Sequence, residues 1–326
     1  MRRRSGRDGF LGTPRFYHGD PAGRGASKPA VNAPRPHTRL GTAAAILYVF
    51  LWAAAFVPSR ILAHSAPPLS ILWIRFLVAG ALLFAGVFFS RLPLPSDGRT
   101  WFQLGLLGLL GNALYLGFNY QALRHLSAGM GSIVASTNPL LLALLAPWLL
   151  GEPLTRRKAV GLLLGFSGVL LAMHSRATSQ EARLSDVLLS GAGVLAFVFS
   201  NILYKRMRAR PHPVVLNAAQ LFLAGVVLMP AALFIEGPPR IDWTLPVLGS
   251  LAFLIIVLSI GASMLWFWIL QHGEASRVSA WFFLTPVFGL LLGALLLHER
   301  LVPLDGVALL VIALGLWLCG AGRING

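Results

Sequence analysis

Charge is scarce in this chain. Only 12% of its 326 residues are Asp, Glu, Lys or Arg, where an ordinary soluble domain carries roughly 25%. Residues 1–40 hold eleven of those charges, so just 27 are spread over the other 286 positions, in short clusters between long apolar runs. That poverty excludes a soluble globular domain. The single cysteine, Cys319, excludes an intramolecular disulfide and, lying inside an apolar run, reads as an inert thiol. Nucleotide and zinc-hydrolase signatures are missing too. No Walker lysine motif occurs, Gly191–Ala196 copies the letters of a dinucleotide fingerprint inside an apolar run with no strand before it, and Val302 stands where a zinc protease beginning at His298-Glu299 needs its second His. An enzyme working on lipid-borne substrate would want His, Asp or Glu clustered at one interface, and none is visible. The reading is therefore not an enzyme, with no cofactor and no metal.

What the chain has instead is apolar length. Ten stretches are long enough to cross a bilayer, 41–61, 69–90, 101–123, 127–150, 157–174, 186–204, 213–235, 244–270, 275–297 and 304–321. The net charge of +16 would suit nucleic acid, but the cations alternate with the spans. Counting the N-terminal tail, twenty Lys and Arg fall on one side and six on the other, which places both termini in the cytoplasm and makes a bilayer, not nucleic acid, the partner. Residues 1–40, basic and rich in Gly and Pro, read as a disordered cytoplasmic tail or as sequence upstream of a later translation start.

The chain is also similar to itself. Pro139 and Pro286, Glu152 and Glu299, His125 and His272, Ser132 and Ser279, and Gly168 and Gly315 all lie 147 residues apart, and Pro68 with Pro213 and Ala79-Gly80 with Ala224-Gly225 lie 145 apart. Each half, 41–174 and 186–321, holds five spans. An odd number forces the second copy to enter the membrane from the opposite side, giving inverted repeats with a shared site near the midplane.

The run Asn138-Pro139-Leu140 leading to Gly151-Glu152-Pro153-Leu154, its copy Thr285-Pro286-Val287 leading to His298-Glu299-Arg300-Leu301, and Trp52-Ala53-Ala54-Ala55-Phe56 resemble the EamA-type members of the drug/metabolite transporter superfamily. Ala53 departs from the Gly usual after that Trp. The resemblance implies an all-α membrane protein of ten helices around a central cavity, moving a small metabolite or drug-like solute across the cytoplasmic membrane by alternating access. It leaves open the substrate, the direction, the coupling ion and the oligomeric state. An amino acid or related compound, exported, is the expectation; a channel or a membrane enzyme on the same scaffold is the alternative.

Polar side chains inside the spans are the candidates for solute contact. Asn112, Tyr115 and Asn119 share one face of the third span, and Ser259, Ser263 and Trp266 stand on the eighth, with Ser259 matching Asn112 and Trp266 matching Asn119. Trp52 joins them through the resemblance. Interhelical hydrogen bonding that only joins the bundle is the competing account. Asn138 and Thr285 sit beside Pro139 and Pro286, mid-span prolines that read as hinges or as packing kinks. Arg75, two turns into the second span and matched by neutral Gln220, either snorkels to the outer headgroups or forms an anion-attracting cavity group. Glu152 and Glu299, at span ends beside cations, read as helix-end anchors or ion pairs. Gly161, Gly165 and Gly168 read as close packing within the bundle.

Overall fold

The computed structural model describes residues 39–149, 151, 154–177, 183–207, 210–271 and 284–320. All regular structure among them is helical. The tail up to residue 38, Glu152 and the pair His272 and Ser279 lie outside the described residues.

The first span is one rod with a bend, α1 (Arg39–Ala54) and α2 (Phe56–Ser65). Pro58 explains it, because it has no N–H for the Ala54 carbonyl and its ring crowds that oxygen. The helix resumes as Ser59 N–H donates to Ala55 O at 3.0 Å. Helix α3 (Pro68–Phe89) opens on a proline, where the missing N–H is one that no helix uses. The third span is α4 (Gly98–Gly108), a π-helical stretch over Leu109–Leu114, and α5 (Tyr115–Ala122). Asp97 caps it, accepting the Thr100 N–H at 2.7 Å. Hydrogen bonds from Thr100 hold that carboxyl below its ordinary pKa, so the cap is present at neutral pH and is lost only as pH falls through the lowered value.

The fourth span breaks in two, α6 (Ala128–Ala135) and α7 (Asn138–Leu149). At the break the Ser136 and Thr137 hydroxyls turn back to donate to Ile133 O and Val134 O, at 2.6 and 2.7 Å. Pro139 therefore lies in the first turn of a new helix rather than in the middle of one, and it costs no helical hydrogen bond. Helices α8 (Arg156–Ala177), α9 (Leu184–Arg206) and α10 (Pro213–Glu236) follow. The eighth span is α11 (Leu245–Ala252), a second π-helical stretch over Phe253–Ala262, and α12 (Ser263–Gln271). Its π-helical stretch contains the positions 147 residues after the first, a correspondence that hydropathy does not signal. Helix α13 (Thr285–Leu297), with Pro286 in its first turn, and α14 (Pro303–Gly320) complete the chain.

Among the described residues seven helical stretches are long and apolar enough to cross a membrane, and Thr285–Leu297 and Pro303–Leu318 are shorter apolar helices. Helix α8, the remaining expected span, is 22 residues long but begins on Arg156, Arg157 and Lys158.

Helices that match each other in the repeat touch directly. A Cβ on Gly80 would sit 2.7 Å from the Phe222 backbone nitrogen, and one on Gly225 would sit 3.0 Å from that of Leu77. Leu77 and Phe222 are themselves matched 145 residues apart, so the α3–α10 contact is reciprocal, and its partners run in opposite directions along the two helices. The α8–α14 contact repeats the arrangement. Gly168 lies against Ile312, and Gly315 against Gly165. The small-residue stripe of the fifth span is thus spent inside the bundle, as its spacing suggested. In lipid, where apolar surface gains nothing by leaving its solvent, such close backbone approach is what holds helices together.

One end of the bundle is tied by two carboxylates. His298, left-handed at φ 54°, ends α13 and turns Glu299 back so that its carboxylate accepts the Ala128 and Gly129 N–H groups at 2.6 and 3.1 Å. These are unsatisfied donors of the first turn of α6, where a negative charge is favoured. Arg60 pairs with the same carboxylate at 3.4 Å and also donates to Leu126 O. Glu236, at the end of α10, accepts from Leu69 N, Ser70 N and Ser70 Oγ at 2.8–2.9 Å at the start of α3. The helix-end ion pair expected of Glu299 is present as Arg60–Glu299; the clamp by Glu236 was not foreseen.

Replacing Gly80 by Leu is expected to cost about 1–3 kcal/mol by forcing α3 from α10, whereas Gly86→Leu, with nothing within 4 Å of its Cβ position, is expected to be silent; thermal unfolding of both variants in detergent makes the comparison.

Candidate functional site

A cavity of about 250 Å³ lies between the halves of the bundle, walled by the first, second, third, sixth, seventh and eighth spans. Its depth follows from the chain. It reaches Ser59 and Leu123 towards the end tied by Glu299, and Tyr204 and Leu216, each within a turn of a helix terminus, towards the other.

One wall is aromatic. Trp266 stacks on Tyr48 with centroids 5.1 Å apart, Tyr48 lies 6.2 Å from Trp52, Trp52 stacks on Phe197 at 6.0 Å, and Phe197 stacks on Tyr115 at 4.7 Å. The rings form a continuous chain from the eighth span through the first and sixth to the third. Such a surface receives a flat or apolar group.

The other wall is polar and centres on Arg75, which is 4% exposed. It does not snorkel. One of its terminal nitrogens donates to Tyr120 Oη at 3.4 Å and the other to Ser259 Oγ at 3.2 Å, while Ser59 Oγ donates to the same Tyr120 oxygen at 3.1 Å. On the repeat-matched helix, Gln220 Nε2 donates to Asn217 Oδ1 at 3.0 Å, and Asn217 Nδ2 and Ser263 Oγ both donate to Ser259 O, at 3.0 and 2.8 Å. Arg75 and Gln220, 145 residues apart, thus face one cavity from matched helices.

Eight of the ten residues expected to line a cavity do line it, namely Trp52, Arg75, Asn112, Tyr115, Asn119, Ser259, Ser263 and Trp266. Their chemistry differs. Asn119 is 3% exposed, donates to Tyr115 O at 2.7 Å and accepts from Ser190 Oγ at 2.8 Å, so much of its polarity is used in joining the third span to the sixth. Asn138 and Thr285 lie elsewhere. They are matched residues of α7 and α13, and Asn138 Oδ1 and Thr285 Oγ1 are each buried without a hydrogen-bond partner. Tyr48, Ser59, Tyr120, Phe197, Asn201 and Asn217 also line the cavity and were not anticipated. Tyr48 stands one helical turn before Trp52 and Asn217 one before Gln220, a same-face spacing that could have flagged them; Tyr120 and Phe197 carry no such signal.

Two matches to one family model, that of the EamA-like transporter family, span residues 39–173 and 184–321. The chain belongs to the EamA-like transporter family. Its relatives include an uncharacterised transporter, YvbV, of Bacillus subtilis, 28% identical over 86% of this chain and 91% of its own. Another is a protein of Escherichia coli K12 named "Probable amino-acid metabolite efflux pump", 27% identical over 84% of this chain and 92% of its own. A solved crystal structure shares the fold with a TM-score of 0.60 at 20% identity, covering 88% of this chain and 98% of that one. This is a multi-pass membrane protein, a secondary transporter of small solutes.

Because Asn119 accepts from Ser190 Oγ on the sixth span while its Nδ2 donates within its own helix to Tyr115 O, Asn119→Ala in this transporter is expected to cost roughly 0.6 kcal/mol of stability, one interhelical contact, measured by thermal unfolding in detergent with Asn112→Ala as the unbonded control.

Proposed function

We propose that the transporter crosses the cell membrane ten times as two inverted five-helix repeats, 41–174 and 186–321, and carries its solute by alternating access through the central cavity. The reciprocal glycine contacts carry this reading. Matched helices that meet antiparallel, Gly80 on Phe222 against Gly225 on Leu77 and Gly168 on Ile312 against Gly315 on Gly165, are what a pseudo-twofold axis in the membrane plane requires. Gly151 and His298, matched at 147, share the left-handed conformation at φ 69° and 54°, which supports it further.

The distribution of cations supports a cytoplasmic location for both termini and the basic tail 1–40. With that orientation Arg60, Glu299 and Glu236 tie the external end, and the cavity extends towards Tyr204 and Leu216 on the cytoplasmic side. The conformation is inward-facing. Opening outward must release the Glu299 and Glu236 clamps, and the break at Ser136-Thr137 and the start of α13 at Thr285 are the hinge points, where the unpartnered Asn138 and Thr285 atoms gain nothing from staying as they are. The solute contacts Trp52, Asn112, Tyr115, Ser263 and Trp266, with Arg75 and Ser259 at the base. Likeness to an efflux pump for amino-acid metabolites supports export of an amino acid or related compound.

Two measurements test the proposal. After Cys319→Ala, single cysteines at Gly151 and His298 are expected to react with impermeant maleimide from opposite faces of the membrane; labelling from one face ends the inverted-repeat reading. In proteoliposomes, saturable counterflow is expected, falling at least tenfold in Trp266→Ala while that variant still purifies folded, and conductance without exchange would replace the carrier by a channel.

A further inference from the structure

From the charge balance of the cavity we infer that Arg75 is its anion receptor and that the solute carries a carboxylate on an apolar or aromatic body. This rests on the cavity being the transport site, as proposed above.

The guanidinium group of arginine is a cation in proteins. At 4% exposure its charge has lost most of its water, a state proteins tolerate when an opposite charge sits beside it. Here none does. Among the described residues no Asp or Glu lines the cavity, and both groups that Arg75 bonds, Tyr120 Oη and Ser259 Oγ, are neutral. The ring of Phe76, 5.8 Å from the guanidinium carbon, lies near the outer limit of a cation–π contact.

Around Arg75 the hydrogen bonds leave donors rather than acceptors. Three of the five guanidinium protons are uncommitted, and Nε is buried with no partner at all. Tyr120 Oη already accepts from Arg75 and from Ser59, and Ser259 Oγ accepts from Arg75, so the hydroxyl protons of Tyr120 and Ser259 point away from these donors. A guanidinium edge with two hydroxyl donors beside it matches the two oxygens of a carboxylate, which takes a planar fork in a bidentate pair. The aromatic wall of Tyr48, Trp52 and Trp266 in the same cavity then covers the rest of the molecule.

A purely structural bridge between helices would not need the charge. The repeat supplies the comparison, because Gln220 occupies the matched position and bonds Asn217 with a neutral amide. Arg75 is thus a departure from the symmetry of the cavity, and it places one positive charge where the other half has none.

The test compares phenylacetate with phenylacetamide, which differ in charge and little in shape, as ligands of the full-length transporter in detergent, by thermal stabilisation at pH 7. In the unmodified protein the acid is expected to bind at least tenfold more tightly than the amide, a comparison that needs no variant to fold. In Arg75→Gln the difference is expected to vanish through loss of acid binding, and in Arg75→Lys to return in part, since an ammonium keeps the charge but not the fork. Equal binding of acid and amide, binding of neither, or a preference for the acid that survives Arg75→Gln overturns the assignment. Counterflow separates the two levels. Saturable exchange of phenylacetamide that needs Trp266 but not Arg75 leaves the transport reading standing without the anion receptor, whereas absence of saturable exchange removes the transport reading itself.

Discussion

Close contact between glycine-bearing helices is the constraint on which the rest of the structure depends. Inside a bilayer, side chains gain no hydrophobic energy by leaving lipid for protein, so helices adhere through packing and a few hydrogen bonds. Gly80 and Gly225 let α3 and α10 approach at backbone distance, and Gly168 and Gly315 do the same for α8 and α14. Both contacts join a helix to its own repeat partner. Two antiparallel seams of this kind tie the halves together without filling the space between them, and the cavity lies in that space. It is lined by the larger polar and aromatic residues of the spans that the seams hold apart.

Among the described residues the two ends of the α3–α10 pair are not equivalent, and the difference is electrostatic. Carboxylates at the ends of α13 and α10 satisfy open N–H groups at the starts of α6 and α3, reaching in each case from the second half to the first. Position 91, matched to Glu236 at a spacing of 145, is Arg, which cannot accept a hydrogen bond. The α3–α10 pair therefore has a clamp at one end only. In the proposed inverted-repeat reading, symmetry supplies two arrangements of similar energy, and such departures from it would bias the balance between them. Arg75 opposite Gln220 is a second departure, within the cavity itself.

Much of this was legible beforehand, and the parts that were not share a physical cause. Seven of the eight cavity residues could be named because each puts a polar or indole group in an apolar run, an expense that periodicity and the repeat made visible; Trp52 came through the family resemblance. Tyr120 and Phe197 could not, since a buried aromatic in a membrane helix looks the same whether it faces lipid, a neighbour or a cavity. Asn119 was recognisable as a polar group on the right face, but its engagement by Ser190 depends on which helix α5 meets. Glu299 at a span end predicted an ion pair, and Arg60 supplies one; that its carboxylate also caps a helix 170 residues earlier was not readable, because capping across the fold leaves no local pattern. Hydropathy also found ten apolar stretches where seven described helical stretches reach membrane length and composition; of the other three, α8 opens on Arg156, Arg157 and Lys158, and Thr285–Leu297 and Pro303–Leu318 are shorter apolar helices.

Apolar length, the placement of cations and the spacing of Pro, Gly and Glu pairs are properties of the linear chain, and they suffice for the class of protein, the internal repeat and the family. Lipid solvation acts on each segment separately, so a segment announces it alone. Which helices meet, which side chains turn inward, and whether Arg75 snorkels or stays buried are outcomes of packing among distant segments. They needed the assembled bundle, because a hydrogen bond from Arg75 to Ser259, 184 positions later, exists only once every helix between them has taken its place.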